Sequence, residues 1–426
     1  MLAVAEKVQM LHDEPTMKRA SGPTSDVDRL SALPDGLLHT IMSFLPARQN
    51  VQTSLLSRRW RRLWRSAPRI EIDERDFGIS VSTSSSTLEE RWPRFENFAT
   101  NMLLFHDNTS SLGEFRLRCR LHNWCHVDRW IRRGIEYCPS VLQIQILNYG
   151  LGVKLPPLVG SSSHHLKRLC LWNLIFDGRF ADFLCSSCPF LEDMDLQSCD
   201  FCGIRPQGII SPMLNKLEMS HCSNKTGYPL VIMAPRLTNL CLTYGCYLAG
   251  ISLCKMDSLV KAEIYIDENK TLSQKTQREL LGSLLNVTSL KLDGFEADAM
   301  MNENPDEFPT FSNMQTLDLS NCFLNEYELD YKLEALRSFI ENAPCLEKLI
   351  LQYCMFMSFS DSEWEIERKS MTLHPEDRYI YRCQNLKLIE VIYDHDHDHQ
   401  LIELVWSLGI SLPDASIKLN KIERWV

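Results

Sequence analysis

Apolar positions recur along this chain in two rhythms, and each predicts its own kind of element. The first is helical. Leu38, Ile41, Met42 and Leu45 fall at three- and four-residue spacing, which places them on one helix face. Pro34 has the backbone angle of a first helical position, and Asp35 suits the positive end of the helix dipole. Pro46 stops the segment. A second helical pattern follows at Leu56, Trp60, Leu63 and Trp64, with Arg58, Arg59, Arg61, Arg62 and Arg65 over the rest of its surface. So short a stretch, residues 28–68, cannot bury that much apolar surface alone. A partner or the rest of the chain must cover the excess.

The second rhythm begins at Leu112. Its unit is apolar-x-x-apolar-x-apolar, often closed by x-x-Cys. Copies open at Leu112, Val141, Leu166, Leu191, Leu214, Leu237, Leu259, Val287, Met314, Leu346 and Leu386. From Leu166 to Leu259 the openings are 25, 23, 23 and 22 residues apart, and later copies carry insertions. Repeats of this length predict one short strand per unit, with the spaced apolar residues inward and each strand stacked on the next. Helices are predicted between strands at Trp130–Tyr137, Phe180–Cys185, Gln277–Leu285 and Leu333–Ile340, with a Pro beside Cys at 138–139, 188–189 and 344–345 ending three of them. Between the two rhythms, Arg69–Asp73 alternates like a strand. Ser82–Thr87 reads as a polar loop, and Phe95, Phe98, Met102 and Phe105 return to helical spacing. Residues 1–25 show no period and read as a mobile tail.

Leu33, Pro34, Asp35, Leu38, Ile41, Ser43, Phe44, Leu45 and Pro46, then Val51, Thr53, Ser54, Leu56, Ser57, Arg59, Trp60, Leu63 and Trp64, stand at fixed offsets. This stretch resembles the plant F-box, departing from many relatives only at Ala47-Arg48-Gln49-Asn50. The later units resemble irregular leucine-rich repeats of plant F-box proteins. The resemblance implies an α/β architecture: a three-helix F-box at 26–68, a linker and cap at 69–111, and a leucine-rich-repeat solenoid, or horseshoe, at 112–426. It implies docking on a Skp-type linker protein, and through it on cullin and RING subunits of a ubiquitin ligase. The expected linker contacts are Leu33, Pro34, Leu38, Ile41, Phe44, Leu45, Val51, Leu56 and Trp60.

Charge sharpens this picture. The net charge is −10, yet Arg48 to Arg69 holds seven Arg and no acid, so the rest is more acidic still. That argues against nucleic-acid binding by the body of the chain. The arginines read as the solvated face of a helix whose tryptophans turn inward. Sixteen Cys in a chain with charged residues close to Met1 and no long apolar run fit reduced thiols in the nucleus or cytoplasm.

Two runs look like metal sites. Cys185-x-x-Cys188 with Cys199-x-x-Cys202 has zinc spacing, but Cys199 closes a repeat and Cys188 precedes Pro189, so buried thiols explain half of it. Asp394-His-Asp-His-Asp-His399 reads as a solvated loop. No P-loop, nucleophile elbow or HExxH is present. The chain is therefore read as a non-catalytic adaptor without cofactor or metal. The remaining candidate is the face formed by residues between the inward ones: Arg168, Trp172, Asp193, Asp195, Gln197, Lys216, Glu218, Asn239, Thr243, Lys261, Glu263, Tyr265, Lys291, Asp293, Asp318 and Ser320. Mixed charge with isolated aromatics suits recognition of a protein substrate. The alternative is a scaffold that meets the linker without a cullin.

Overall fold

A computed structural model describes residues 29–80, 82–107, 112–147, 153–156, 164–203, 208–266, 272–300, 308–323, 329–353, 383–393, 404–409 and 412–422. The Asp394–His399 run and the 1–25 segment lie outside them. The chain divides into two compact units, residues 1–148 and 149–426.

The first unit opens with helix α1, Asp35–Ser43. Pro34 is its N-cap rather than its first turn, and the Pro34 carbonyl accepts the N–H groups of Leu37 and Leu38. Leu38 and Met42 are fully buried, while Ile41 turns outward and Leu45 is half-buried. Helix α2, Ala47–Gln52, runs into a 3-10 turn, Thr53–Leu55. Helix α3, Trp60–Leu63, then ends in a second 3-10 turn, Trp64–Ser66. The single helix expected through Leu56 is therefore broken before Trp60. Trp60 and Trp64 are buried as their spacing requires, and the Trp60 indole N–H donates to Ser31 Oγ at 3.1 Å.

Strands β1 (Arg69–Asp73), β2 (Glu114–Cys119) and β3 (Val141–Ile146) are parallel and in register. Phe115 pairs with Leu142, so the unit expected to open at Val141 opens two residues earlier. Its inward residues are Leu142, Ile144 and Ile146. Helix α4, Ser85–Phe105, starts inside the expected loop with Ser84 at its N-cap position, and Trp92, Phe95, Ala99, Met102 and Leu103 are buried. Helix α5, Trp124–Glu136, starts six residues before the apolar pattern, because Asn123 accepts the Cys125 N–H as its cap. Gly134 lets α5 lie on the sheet: a Cβ there would overlap the Phe115 ring. Glu74, fully buried after β1, accepts the Arg120 backbone N–H at 2.7 Å and its Nε at 3.0 Å.

The second unit is a ladder of parallel strands: β4 (Arg168–Trp172), β5 (Asp193–Gln197), β6 (Lys216–Ser220), β7 (Asn239–Thr243), β8 (Lys261–Tyr265), β9 (Ser289–Asp293), β10 (Thr316–Ser320), β11 (Lys348–Gln352), β12 (Leu388–Tyr393) and β13 (Ser416–Lys421). Each pairs with the next without slippage, so Leu169, Met194, Leu217, Leu240, Ala262, Leu290, Leu317, Leu349 and Ile389 form one buried row. A period of two along each strand sends every second side chain to the opposite, open face. Helices α6 (Phe180–Ser187), α7 (Gln274–Gly282), α8 (Ala297–Met300) and α9 (Leu329–Glu341) return the chain in some repeats. Others return by short strands such as Leu230–Met233 and Ile251–Cys254, where β-branched residues favour extension.

Two features complete the repeat. The residue after the strand is left-handed at Asn173, Ser198, His221, Tyr244, Gly294, Asn321 and Tyr353, and its N–H donates to a carbonyl at the end of the next strand. For L-residues that conformation costs roughly 1–2 kcal/mol. The closing Cys comes next. Its thiol donates back to the preceding repeat, Cys199 to Leu171 O at 3.2 Å, Cys222 to Leu196 O at 3.4 Å and Cys322 to Leu292 O at 3.5 Å. This accounts for the repeat cysteine without a metal.

Candidate functional site

The first unit leaves apolar side chains uncovered. Leu37, Ile41 and Phe44 fall at i, i+4 and i+7 on α1 and its C-cap, all exposed, with Phe44 at 78%. Leu55 and Leu56, at 67% and 60%, project from the region of the first 3-10 turn, and Leu30 is exposed before α1. Burying side chains of this kind is worth about 1.5–3 kcal/mol each. Such an uncovered cluster on a small helical module is a docking surface in waiting.

Of the expected linker contacts, Pro34, Ile41, Phe44 and Leu56 are exposed, and Leu33, Leu45 and Val51 are half-buried. Leu38 and Trp60 are corrections. Both lie in the interior, where they shape the module and present no surface to a partner. Sequence reasoning missed Leu30, Leu37 and Leu55. Leu37 lies on a second helical row one residue out of step with the buried one, and that row was the available signal.

The arginines divide by role. Arg59 pairs with Asp35 at 2.6 Å and holds its carboxyl below the ordinary range. Arg65 donates to Phe105 O at 2.9 Å, Arg69 joins Glu71 and Glu114, and the Arg48 guanidinium lies 4.8 Å from the Phe77 ring centre. Arg58, Arg61 and Arg62 are exposed and form no ion pair among the described residues.

The second unit presents the open face of its ladder. Arg168 stands exposed on β4, and Trp172 is half-buried with its Nε1 enclosed and without a hydrogen-bond partner among the described residues. Asp193, Asp195 and Gln197 are half-buried on β5. Burial and neighbouring Glu218 push the Asp195 carboxyl up. Lys216 pairs with Glu218 at 2.8 Å and Lys261 with Glu263 at 2.6 Å. The Tyr265 hydroxyl donates to Glu263 at 3.3 Å. Asn239 is exposed, and Thr243 is half-buried. Lys291 reaches Asp318 at 3.3 Å and lies 5.6 Å from the Tyr265 ring centre. Asp293 and Ser320 are corrections. Asp293 is only 8% exposed and accepts from Asn321 Nδ2, while Ser320 donates to Gln352 Oε1 at 2.9 Å. Both serve the ladder itself. His221 and Tyr244 were missed, because a pattern of alternating strand positions stops one residue short of them.

The cysteine quartet is split. Cys188 and Cys199 are buried, Cys185 is exposed, and burial pushes the Cys188 thiol up to about 12. Among the described residues no group of three or more His, Cys, Asp or Glu is arranged to hold a metal ion.

A small helical module with an uncovered apolar row, followed by a parallel repeat ladder with an open polar face, defines a two-part binding protein. Comparison with known families agrees. Residues 30–71 match the F-box domain, and residues 140–409 match the family described as "At1g61320/AtMIF1, LRR domain". The chain belongs to the plant F-box/leucine-rich-repeat proteins, a family of substrate-recognition adaptors. It is 30% identical over 433 residues to the MEIOTIC F-BOX protein MOF of Oryza sativa subsp. japonica, covering 92% of this chain and 88% of that protein. It is 28% identical over 374 residues to the FBD-associated F-box protein At4g13985 of Arabidopsis thaliana, covering 78% of each. With the F-box/FBD/LRR-repeat protein At5g56420 of Arabidopsis thaliana it shares 26% identity over 360 residues, 76% of this chain and 77% of that one.

Proposed function

We propose that this protein is the substrate-recognition subunit of a Skp–cullin–F-box ubiquitin ligase. The observation that carries the reading is the uncovered row Leu37, Ile41 and Phe44 on the F-box. A Skp-type linker burying that row would tether the chain, through cullin and RING subunits, to a ubiquitin-charged enzyme. The open face of the repeats would hold a protein substrate nearby. No bond chemistry is asked of this chain; the gain is in effective concentration and orientation. The fifteen described cysteines are all free, which supports a reducing compartment, the nucleus or the cytoplasm.

The test is capture of the linker and of cullin by the full-length chain. Phe44→Asp places a charge in the buried contact and leaves the F-box interior untouched. It should remove both partners while the far-ultraviolet spectrum and Tm stay as in the parent. Undiminished linker capture by Phe44→Asp would overturn the docking mode. Capture of the linker without cullin by the parent chain would replace the ligase reading with that of a scaffold.

A further inference from the structure

We propose that the Skp-type linker meets this F-box through a run of its own carboxylates as well as through apolar side chains, and that Arg58, Arg61 and Arg62 receive them. This rests on the adaptor reading and adds the charge that the partner must carry.

Arg58, Arg61 and Arg62 stand three and four residues apart, so they share one side of the turn that leads into α3 and along it. Trp60, on the other side, is buried. All three arginines are exposed and form no ion pair or side-chain hydrogen bond among the described residues. Residues 36–70 contain no Asp or Glu to offset them. Asp35, which lies against this segment, is already held by Arg59 at 2.6 Å. Arg65, one turn further on, differs in donating to Phe105 O at 2.9 Å. Like charges one helical turn apart repel, so folding by itself disfavours the unmatched three.

The arginines continue an apolar pad. Ser31 Oγ lies 2.9 Å from Ser57 Oγ and accepts the Trp60 indole N–H at 3.1 Å. These contacts join the segment of Leu30 to that of Leu56 and Arg58. Leu30, Leu55 and Leu56 are all exposed. A partner that covers the three leucines therefore meets Arg58 at once, and Arg61 and Arg62 about 5.4 Å further along.

That sequence of surfaces selects the occupant. A nucleic acid would satisfy the arginines through its phosphates and leave the leucines in water. A protein with an apolar patch edged by Asp or Glu satisfies both. On the adaptor reading, the protein that covers this pad is the linker, so the carboxylates are the linker's. Guanidinium and carboxylate meet through two parallel N–H···O bonds, which suits arginine better than lysine. At a rim still reached by water, such pairs speed encounter more than they slow release, and salt screens them.

The test uses the full-length chain and a purified plant Skp-type linker, with association and dissociation rates measured from about 50 mM to about 500 mM salt. Association of the parent should slow steeply as salt rises. The triple variant Arg58→Gln/Arg61→Gln/Arg62→Gln should associate roughly tenfold more slowly at low salt and lose most of that salt dependence. Its dissociation rate should stay within about threefold of the parent, and its Tm should hold or rise. The corresponding Arg→Lys triple keeps the charge and should keep most of the rate, while the Arg→Glu triple should be slower than the Gln triple. A fluorescent oligouridine is the control for any polyanion. Parent and Gln triple with the same rates and salt slope would overturn the proposal and leave the docking mode standing. Oligouridine binding as tight as the linker's, lost in the Gln triple, would overturn it in favour of a nucleic acid. A parent chain that does not bind the linker at any salt would instead strike the adaptor reading itself, and this inference with it.

Discussion

Leu317 and Asp318 are neighbours in sequence and face opposite sides of one strand. Leu317 is fully buried between its ladder partners Leu290 and Leu349. Asp318, on the open face, reaches Lys291 at 3.3 Å and accepts the Ser320 hydroxyl at 3.2 Å. Leu317→Ala should cost about 2–5 kcal/mol, the range for a core leucine truncated with its cavity left behind. Asp318→Ala should cost on the order of 1 kcal/mol, since its ion pair is partly shielded and its neighbours lose a hydrogen bond. Urea unfolding of the two variants should separate them; equal losses would mean that the register is wrong.

Glu74 and Arg120 give a second prediction. Burial holds the Glu74 carboxyl above its ordinary range, against the opposing pull of Arg120. The folded state therefore binds that proton more tightly than the unfolded state does. The corresponding stabilisation is complete below the ordinary carboxyl pKa and is lost as pH rises through the raised value. Glu74→Gln should flatten the dependence of the urea midpoint on pH across the acid range. Glu74→Ala should cost roughly 3 kcal/mol near neutral pH, because it leaves the Arg120 charge enclosed and unmatched. A pH profile for Glu74→Gln that overlays the parent would show that the carboxyl carries no such shift.

The helix packing on the first unit's sheet depends on a missing atom. Gly134→Ala would drive a Cβ into the buried Phe115 ring. The ring is fully buried, so ring or helix must shift, at a cost of about 1–3 kcal/mol. A Gly134→Ala/Phe115→Leu double variant, with room restored, should recover part of that loss. Thermal unfolding of the single and double variants measures the coupling.

The tether and the recognition face should be separable without cutting the chain. The F-box module is tied to the end of helix α4: Asp107 N–H donates to Arg65 O at 2.6 Å, and His106 Nε2 donates to Ala67 O at 3.0 Å. Excision near Pro68 would break these bonds, so point substitution is the cleaner route. In cells, Leu37→Asp with Phe44→Asp should leave the set of bound substrate proteins intact and reduce their ubiquitin conjugates severalfold. Conjugates at the parent level in that double variant would move weight away from an adaptor role.

Much of this molecule was legible in the sequence, for identifiable reasons. The spacing Leu-x-x-Leu-x-Leu states which residues of a strand point inward, and repetition at nearly constant length states that successive strands share one register. The burial of Leu317, Leu319 and their counterparts follows directly. The F-box motif likewise marked the module and several of its apolar positions. What periodicity could not decide is how far a helix turns its stripe toward its own interior. Leu38 and Met42 went inside and Ile41 went outside, because the rest of the unit covers only part of the helix's apolar face. Nor could it reveal the left-handed step after each strand. That step is set by the hydrogen bond from its N–H to the next repeat, a contact between residues far apart in the sequence, such as Tyr244 with Tyr265 and Asn321 with Gln352. The step places the Tyr244 ring between those of His221 and Tyr265. Sequence determined the ladder, since its rule is local and repeats. Only the tertiary structure decided which side chains meet across its rungs, since that depends on the path each return segment takes.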